Sequence, residues 1–312
     1  MTKWRLRLGL LVVAMVCLMM SASFAAPSSG GTIRISGAWA LYPMVIKWAE
    51  VYKAAHPSIR IDISAGGAGK GAADALGGLV DIGMVSRAIH PDEVSKGGWY
   101  VPVVKDAVFP TINSRNPFVK QIYARGIKRE ILIGIWKKTI TNWSQVIPGT
   151  NAPLHVYTRS DACGAAETWA AYLGCKQENL KGTAVYGDPG VAQAIQRDPY
   201  GIGFNNLNYC YDVRTTMPVP GIFIAPIDLN GDGKIVRAEH FYSSISHLLR
   251  AVNDGVYPSP PARNLNFLCK GKPNATTAAF IKWCLTSGQQ YAKTNGYVSL
   301  SGKTLAAALA KL

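Results

Sequence analysis

The sequence predicts an α/β protein folded as two lobes with two hinge crossovers. Three observations predict it: short β-branched runs alternate with helical patterns, glycine-rich turns join them, and the 312-residue chain exceeds the size at which one core usually splits. In order, residues 32–36 read as a strand and 43–55 as a helix, with Pro43 in the first turn, where its missing N–H is not needed. Residues 59–63 and 70–79 repeat the unit, and 101–104 is an apolar strand leading through Lys105-Asp106 into 107–113. A second set follows: helical patterns at 117–124 and 128–135, a strand at 154–158, and a helix at 164–173 begun by a capping-type turn at Ser160-Asp161. The segment 184–186, a helix at 190–196 and a strand at 201–205 come next. Crossovers are expected in the extended segments 107–113 and 204–208. That division gives a first lobe from 31–107, a second from 108–206, and a return of 207–312 to the first. Two lobes on two connections form a hinge that can close on a small ligand.

Lys3, Arg5 and Arg7 precede the apolar run 8–20 and a small-residue exit at Ser23-Phe24-Ala25, so residues 1–25 read as a signal peptide and the mature chain as periplasmic or secreted. The run is shorter than the roughly 20 apolar residues that span a bilayer. The formal charge is +15, of which only the three basic residues just named lie in the signal, so the remainder is strongly basic and suited to anionic partners. Lys and Arg are spread along the chain without interleaved aromatics, which argues against nucleic acid. Beyond the signal stand Cys163, Cys175, Cys210, Cys269 and Cys284, an odd number for an oxidising compartment. Proximity in sequence suggests pairing Cys163 with Cys175 and Cys269 with Cys284. There is no CxxC, and the five His are scattered, so no zinc or haem site is indicated.

The most informative stretch is SAGGAGKGAADALGGLVDIGMVSR at residues 64–87, where a glycine-rich turn opens a small-residue helix that ends in a second turn at Ser86-Arg87. Glycine lets backbone approach a ligand, and the free N–H groups of a helix's first turn attract negative charge. A nucleotide P-loop is excluded, because Gly69-Lys70 is followed by Gly71 where a hydroxyl is required and Ser64 stands where the first glycine should be. The segment YTRSDACGAAETW at residues 157–169 has the same strand-turn-helix layout. Arg159 can grip an oxyanion bidentately, and Asp161 can orient that guanidinium or cap the helix. Backbone amides of Cys163, Gly164 and Ala165 are then left for a cleft. SGAWALYP at residues 36–43 supplies a third turn of this type around Ala40 and Leu41.

The order of these segments resembles the periplasmic phosphate-binding proteins of ABC phosphate transporters. GAWALYP, KWAEVY, GGAGKG, DIGMVSR, ITNW, TRSDACG and GIGF all fit, and they cover most of the mature chain. The resemblance implies a type II periplasmic-binding fold with an anion between the lobes. It also implies ligand contacts from Ala40, Leu41, Ala68 and Gly69, from Ser86 and Arg87, from Arg159 with Asp161, and from Cys163, Gly164 and Ala165. Departures are specific. Leu41 and Ala68 stand where the family presents hydroxyls, Cys163 replaces Ser, Ala165 replaces Thr, and Ser86-Arg87 lie where better-known members carry an Asp that accepts the proton of hydrogen phosphate. Several neutral hydrogen bonds at about 1 kcal/mol each are thereby missing. The implied function is an extracytoplasmic solute-binding protein, monomeric and non-catalytic, that delivers an oxyanion, phosphate first, to an ABC transporter permease. Its rivals are a receptor or sensor for another anion and a phosphate-ester hydrolase on the same fold.

One further motif stands apart. DLNGDGKIVRAE at residues 228–239 matches the calcium loop D-x-[DN]-x-[DN]-G-x5-E, with Asp228, Asn230, Asp232, the Lys234 carbonyl and Glu239 as ligands. Pro226 and β-branched residues precede it instead of a helix, so a structural calcium site and a plain Asp/Gly turn with a helix cap both remain open. No cofactor is required. Neither a G-x-S-x-G elbow nor HExxH occurs, and Cys163 at a helix start reads as a reactive thiol, a loop filler or half of a disulfide.

Overall fold

The computed structural model describes residues 31–312, and the signal peptide assigned to residues 1–25 lies outside the described residues. In β1 (Thr32–Gly37) Ile33 and Ile35 fall on one face by the two-residue strand period and are buried. Gly37 turns the chain into α1 (Tyr42–Ala55), and β2 (Arg60–Ala65) returns parallel to β1. Next come α2 (Ala68–Leu76), β3 (Ile82–Val85), the short α3 (Pro91–Ser95) and β4 (Gly98–Asn113). The expected helix to Leu79 stops early at Gly77-Gly78, which leaves Leu79 exposed.

The second set comprises α4 (Val119–Arg125), β5 (Ile127–Lys128), α5 (Arg129–Trp136), β6 (His155–Arg159), α6 (Gly164–Leu173), β7 (Thr183–Val185), α7 (Gly187–Arg197) and β8 (Gly201–Asn206). Short pieces β9 (Tyr211–Asp212), β10 (Met217–Pro218), β11 (Ile222–Ile224) and β12 (Ile227–Asp228) precede α8 (Ile245–Asn253), β13 (Ala262–Lys270), α9 (Ala275–Leu285) and α10 (Gly302–Leu309).

One nine-stranded sheet runs through both lobes in the order β2-β1-β3-β13-β4-β8-β6-β7, with β11 on β4. β4 makes this possible. Its first part pairs antiparallel with β13, from Gly98 to Ala107, and its second part pairs with β8, from Val108 to Ile112. The apolar core changes along the same strand: Val101, Val103 and Val104 pack with Trp48, Phe267 and Phe280, whereas Val108, Phe109 and Ile112 pack with Trp136, Trp169 and Phe204. In the second core the Trp136 and Trp169 rings meet edge to face at 5.2 Å.

The return crossing differs from the sequence expectation. Residues 207–257 do not go back to the first lobe. Leu207, Tyr211, Ile222, Ile227, Phe241, Leu248, Val252 and Tyr257 are buried in the second core, and the chain crosses only around residues 259–263 into β13. The reason lies in pairing partners that are distant in sequence: β11 adds antiparallel to the end of β4, and α8 turns Leu248, Leu249 and Val252 inward on one face. Strands of two or three residues leave almost no periodic signal. The two crossings are tied side by side, since Tyr257 Oη donates to the Val108 carbonyl at 2.6 Å and the Val108 amide donates to the Pro261 carbonyl at 3.3 Å.

Candidate functional site

Four turns converge where β1, β2, β3 and β6 end, at the line between the two cores. Ligand sites of open α/β sheets lie at such carboxyl ends, because helix N-termini and loops gather there. The turns touch. A Cβ on Gly164 would stand 2.2 Å from the Ser86 carbonyl oxygen, and one on Gly67, whose φ is +87°, would stand 2.7 Å from Asp161 Oδ2. Only glycine permits both approaches.

Arg159 is the centre of the site. Its side chain is fully buried; Nε and NH2 donate to Asp161 Oδ1 and Oδ2 at 2.7 and 2.6 Å, and NH1 donates to Asp188 Oδ2 at 2.6 Å. Burial opposes its charge, but the carboxylates of Asp188 and Asp161 outweigh that and raise its pKa. A guanidinium carries five N–H donors, so two remain for a ligand. Arg159, Gly69, Ala162 and Cys163 line a cavity of about 1030 Å³ between the lobes, which is the space an anion would enter.

The sequence-predicted residues divide into two groups. Ala68, Ser86, Arg159, Cys163, Gly164 and Ala165 are buried in the converging turns, and Asp161 is half-buried among them. Several expected donors are engaged elsewhere, however. The Leu41 amide donates to the Ala38 carbonyl, and the Gly69 amide crosses the cleft to the Ala162 carbonyl, both at 3.0 Å. The Cys163 amide donates to Gln177 Oε1 at 3.3 Å. Free first-turn amides are therefore fewer than the sequence suggests. Asp161 orients Arg159, while the N-cap of α6 is Cys163, whose Sγ accepts from the Ala166 amide at 3.3 Å, so the capping turn expected at Ser160-Asp161 is displaced.

Arg87 does not join Ser86. Its NH1 and NH2 pair with Glu93 at 2.9 and 2.7 Å, and its Nε reaches Glu167 at 3.1 Å across the cleft. Glu167 also meets His90 Nε2 at 2.9 Å. Arg87 is thus a strut between lobes, held there because burial requires its charge to be matched.

The five cysteines Cys163, Cys175, Cys210, Cys269 and Cys284 carry free thiols, so neither expected disulfide forms. Cys163 and Cys175 lie at opposite ends of α6, about 15 Å apart at the usual helical rise. Burial pushes the Cys163 thiol up to about 12, opposed by Arg159 and assisted by Asp161 and Asp188, so it stays protonated and unreactive at neutral pH.

Sequence reasoning missed Asp188, Asn206, Asp106 and Arg263. Asp188 sits in the first turn of α7, 1% exposed, and Asn206 ends β8. The only local hint was an acid at a helix start. Asp106 is buried on β4 with neither oxygen in a well-formed hydrogen bond, and Arg263 lies opposite it on β13, NH1 to Oδ2 3.5 Å. The calcium-type loop 228–239 lies in the second lobe and is closed by its own acids. Asp228 accepts from the Gly231 and Gly233 amides at 2.7 and 2.8 Å, and Glu239 accepts from the Leu229, Asn230 and Val236 amides. The Asn230 and Asp232 side chains accept from the Asp232 and Lys234 amides, each at 2.9 Å.

A sequence model described as a PBP superfamily domain matches residues 22–287. A phosphate-binding protein PstS from Xylella fastidiosa is 26% identical over 309 aligned residues, covering 86% of this chain and 82% of that protein. Another protein of the same name, from Methanocaldococcus jannaschii, is 26% identical with the same coverage of both chains. Among solved structures, an ABC-type phosphate transport receptor from Vibrio cholerae superposes with a TM-score of 0.63 at 19% identity, covering 86% of this chain and all of that one. That likeness supports the two-lobed fold.

Asp106 gives the site region a pH dependence. Burial lifts its carboxyl to about 6, against the attraction of Arg263 and the facing amides of Ala107 and Leu207, with Asp188 adding repulsion. Because the folded pKa lies above the unfolded value, the native state holds the proton longer, and stability falls as pH rises from about 4 to about 6, by about 2–3 kcal/mol. Urea unfolding of Asp106→Asn and the parent at pH 4 and pH 7 measures this: the variant gains on the parent by that amount, and parallel behaviour would contradict it.

Proposed function

This chain belongs to the PBP superfamily, and on that premise we propose that it is an extracytoplasmic solute-binding protein that captures an oxyanion, phosphate first, and passes it to an ABC transporter permease. The observation that carries this reading is the convergence of Gly69 of the first lobe with Arg159 and the α6 N-cap Cys163 of the second on one inter-lobe cavity, with Ser86 packed directly behind Gly164, in a chain whose relatives are named for phosphate binding. Ligand closes the lobes, as suits two halves joined at adjacent crossings. Charge supports it as well: the chain carries 33 Lys and Arg against 18 Asp and Glu, so an anion is drawn to it from solution. Among the described residues no helix is long and apolar enough to cross a membrane, which fits a protein released by cleavage near Ala25.

A purely binding role is favoured over hydrolysis because the one thiol beside Arg159 is held protonated. Selectivity is the finer question. The absent hydroxyls at Leu41, Ala68 and Ala165, and the absence of an acid at Ser86, leave fewer groups to tell hydrogen phosphate from sulfate. Trp39 reports on this directly, since its Nε1 is buried without a partner, its carbonyl accepts from Tyr209, and its ring meets Tyr186 of the other lobe at 6.2 Å.

Titrating the mature protein with phosphate, sulfate, molybdate and arsenate while following tryptophan fluorescence is the test. Phosphate binds in the micromolar range or tighter, and Arg159→Ala weakens it at least a hundredfold, as expected for loss of charge-assisted hydrogen bonds. Failure of every anion to bind below millimolar would refute the receptor reading, and tighter binding of sulfate would reassign the ligand. For the loop 228–239 we propose the capped-turn role, since its acids already serve backbone amides. The melting temperature then stays the same in calcium and in chelator, and a rise of several degrees with calcium would restore the metal reading.

A further inference from the structure

We propose that Arg263 is a positioning residue that locks the first lobe's ligand turn to the second lobe's ligand arginine. The proposal rests on the anion-binding reading for its purpose, but its geometry is independent of which anion binds. Arg263 lies on β13, directly opposite Asp106 on β4, so it sits where both crossings pass between the lobes. Its side chain is 8% exposed. Nε donates to the Ser86 carbonyl at 3.1 Å, and NH2 donates to Asn206 Oδ1. Asn206 in turn donates from its amide and from Nδ2 to Asp188 Oδ1, at 3.1 and 2.8 Å, and Asp188 Oδ2 accepts from Arg159.

A continuous path therefore runs Ser86, Arg263, Asn206, Asp188, Arg159, with every link a hydrogen bond. Ser86 directly follows β3 of the first lobe, and the last three residues belong to the second. The links act together because each partner is buried, so releasing one leaves a desolvated polar group behind. The fork of a guanidinium is what allows one side chain to hold Ser86 and Asn206 at once; a lysine ammonium is a point donor on a flexible stem. The remaining nitrogen faces Asp106, which balances the charge at the hinge and leaves the other two directions for the two turns.

Hydrogen exchange of the ligand-free protein tests this. Arg263→Lys retains the charge facing Asp106 but loses the fork. The paired variant Arg263→Gln with Asp106→Asn removes both buried charges, so it remains informative where the lysine variant unfolds. Exchange quickens about tenfold at the Ser86-Arg87 turn of the first lobe and also at Asp161-Ala162 and Gly187-Asp188 of the second. A change confined to β13 and β3, or no change, would overturn the proposal. In a phosphate titration both variants bind about tenfold more weakly than a parent that binds; equal affinity would also overturn it. A parent that binds no phosphate refutes the phosphate reading alone, and the exchange result still decides the coupling.

Discussion

Arg159 is buried with its charge shared between Asp161 and Asp188, and this ion cluster constrains the geometry of the whole cleft. An isolated buried guanidinium would be costly, so the chain must bring two acids to it from two different turns. Two acids around one base leave a negative excess. The N-terminus of α7 compensates: Asp188 lies in its first turn, and the Gly187 amide donates to Asp161 Oδ1 at 3.2 Å, so the positive end of that helix faces both carboxylates. The positions of β6, α6 and α7 follow from this demand, and so does the glycine at 67, which must let backbone pass the Asp161 carboxylate.

The same cluster sets what an incoming anion can meet. Full positive charge is already neutralised, so binding relies on remaining N–H donors and on helix dipoles rather than on net attraction at the site. Long-range attraction comes from the basic surface, while the pocket supplies direction. The lobes are held in contact by the Gly69 amide on Ala162 and by Arg87 and His90 on Glu167, so ligand entry requires those contacts to open. Closing contacts that the protein makes with itself compete with those made to a ligand, and the balance between them sets affinity.

Much of this was legible in the sequence because it is local. The βαβ units announce themselves through alternation in 32–36 and 59–63, and the Arg159-Asp161 pair is two residues apart. What remained hidden depends on partners far along the chain. Asp188 is 29 residues from Arg159, and Arg263 is 177 from Ser86. Arg87 read as a ligand because it follows Ser86, yet its direction is decided by Glu93 and Glu167, which no spacing reveals. The late return of the chain was missed for a related reason, since residues 207–257 join the second core through strands too short to show a period.

A crystal structure of the protein grown in phosphate tests the central claim most directly. The account predicts tetrahedral density within hydrogen-bond distance of Arg159 and of the amides at Gly164 and Ala165, with Asp161 and Asp188 still bound to the guanidinium. Saturating phosphate with no density there, or an anion seated away from Arg159, would contradict it.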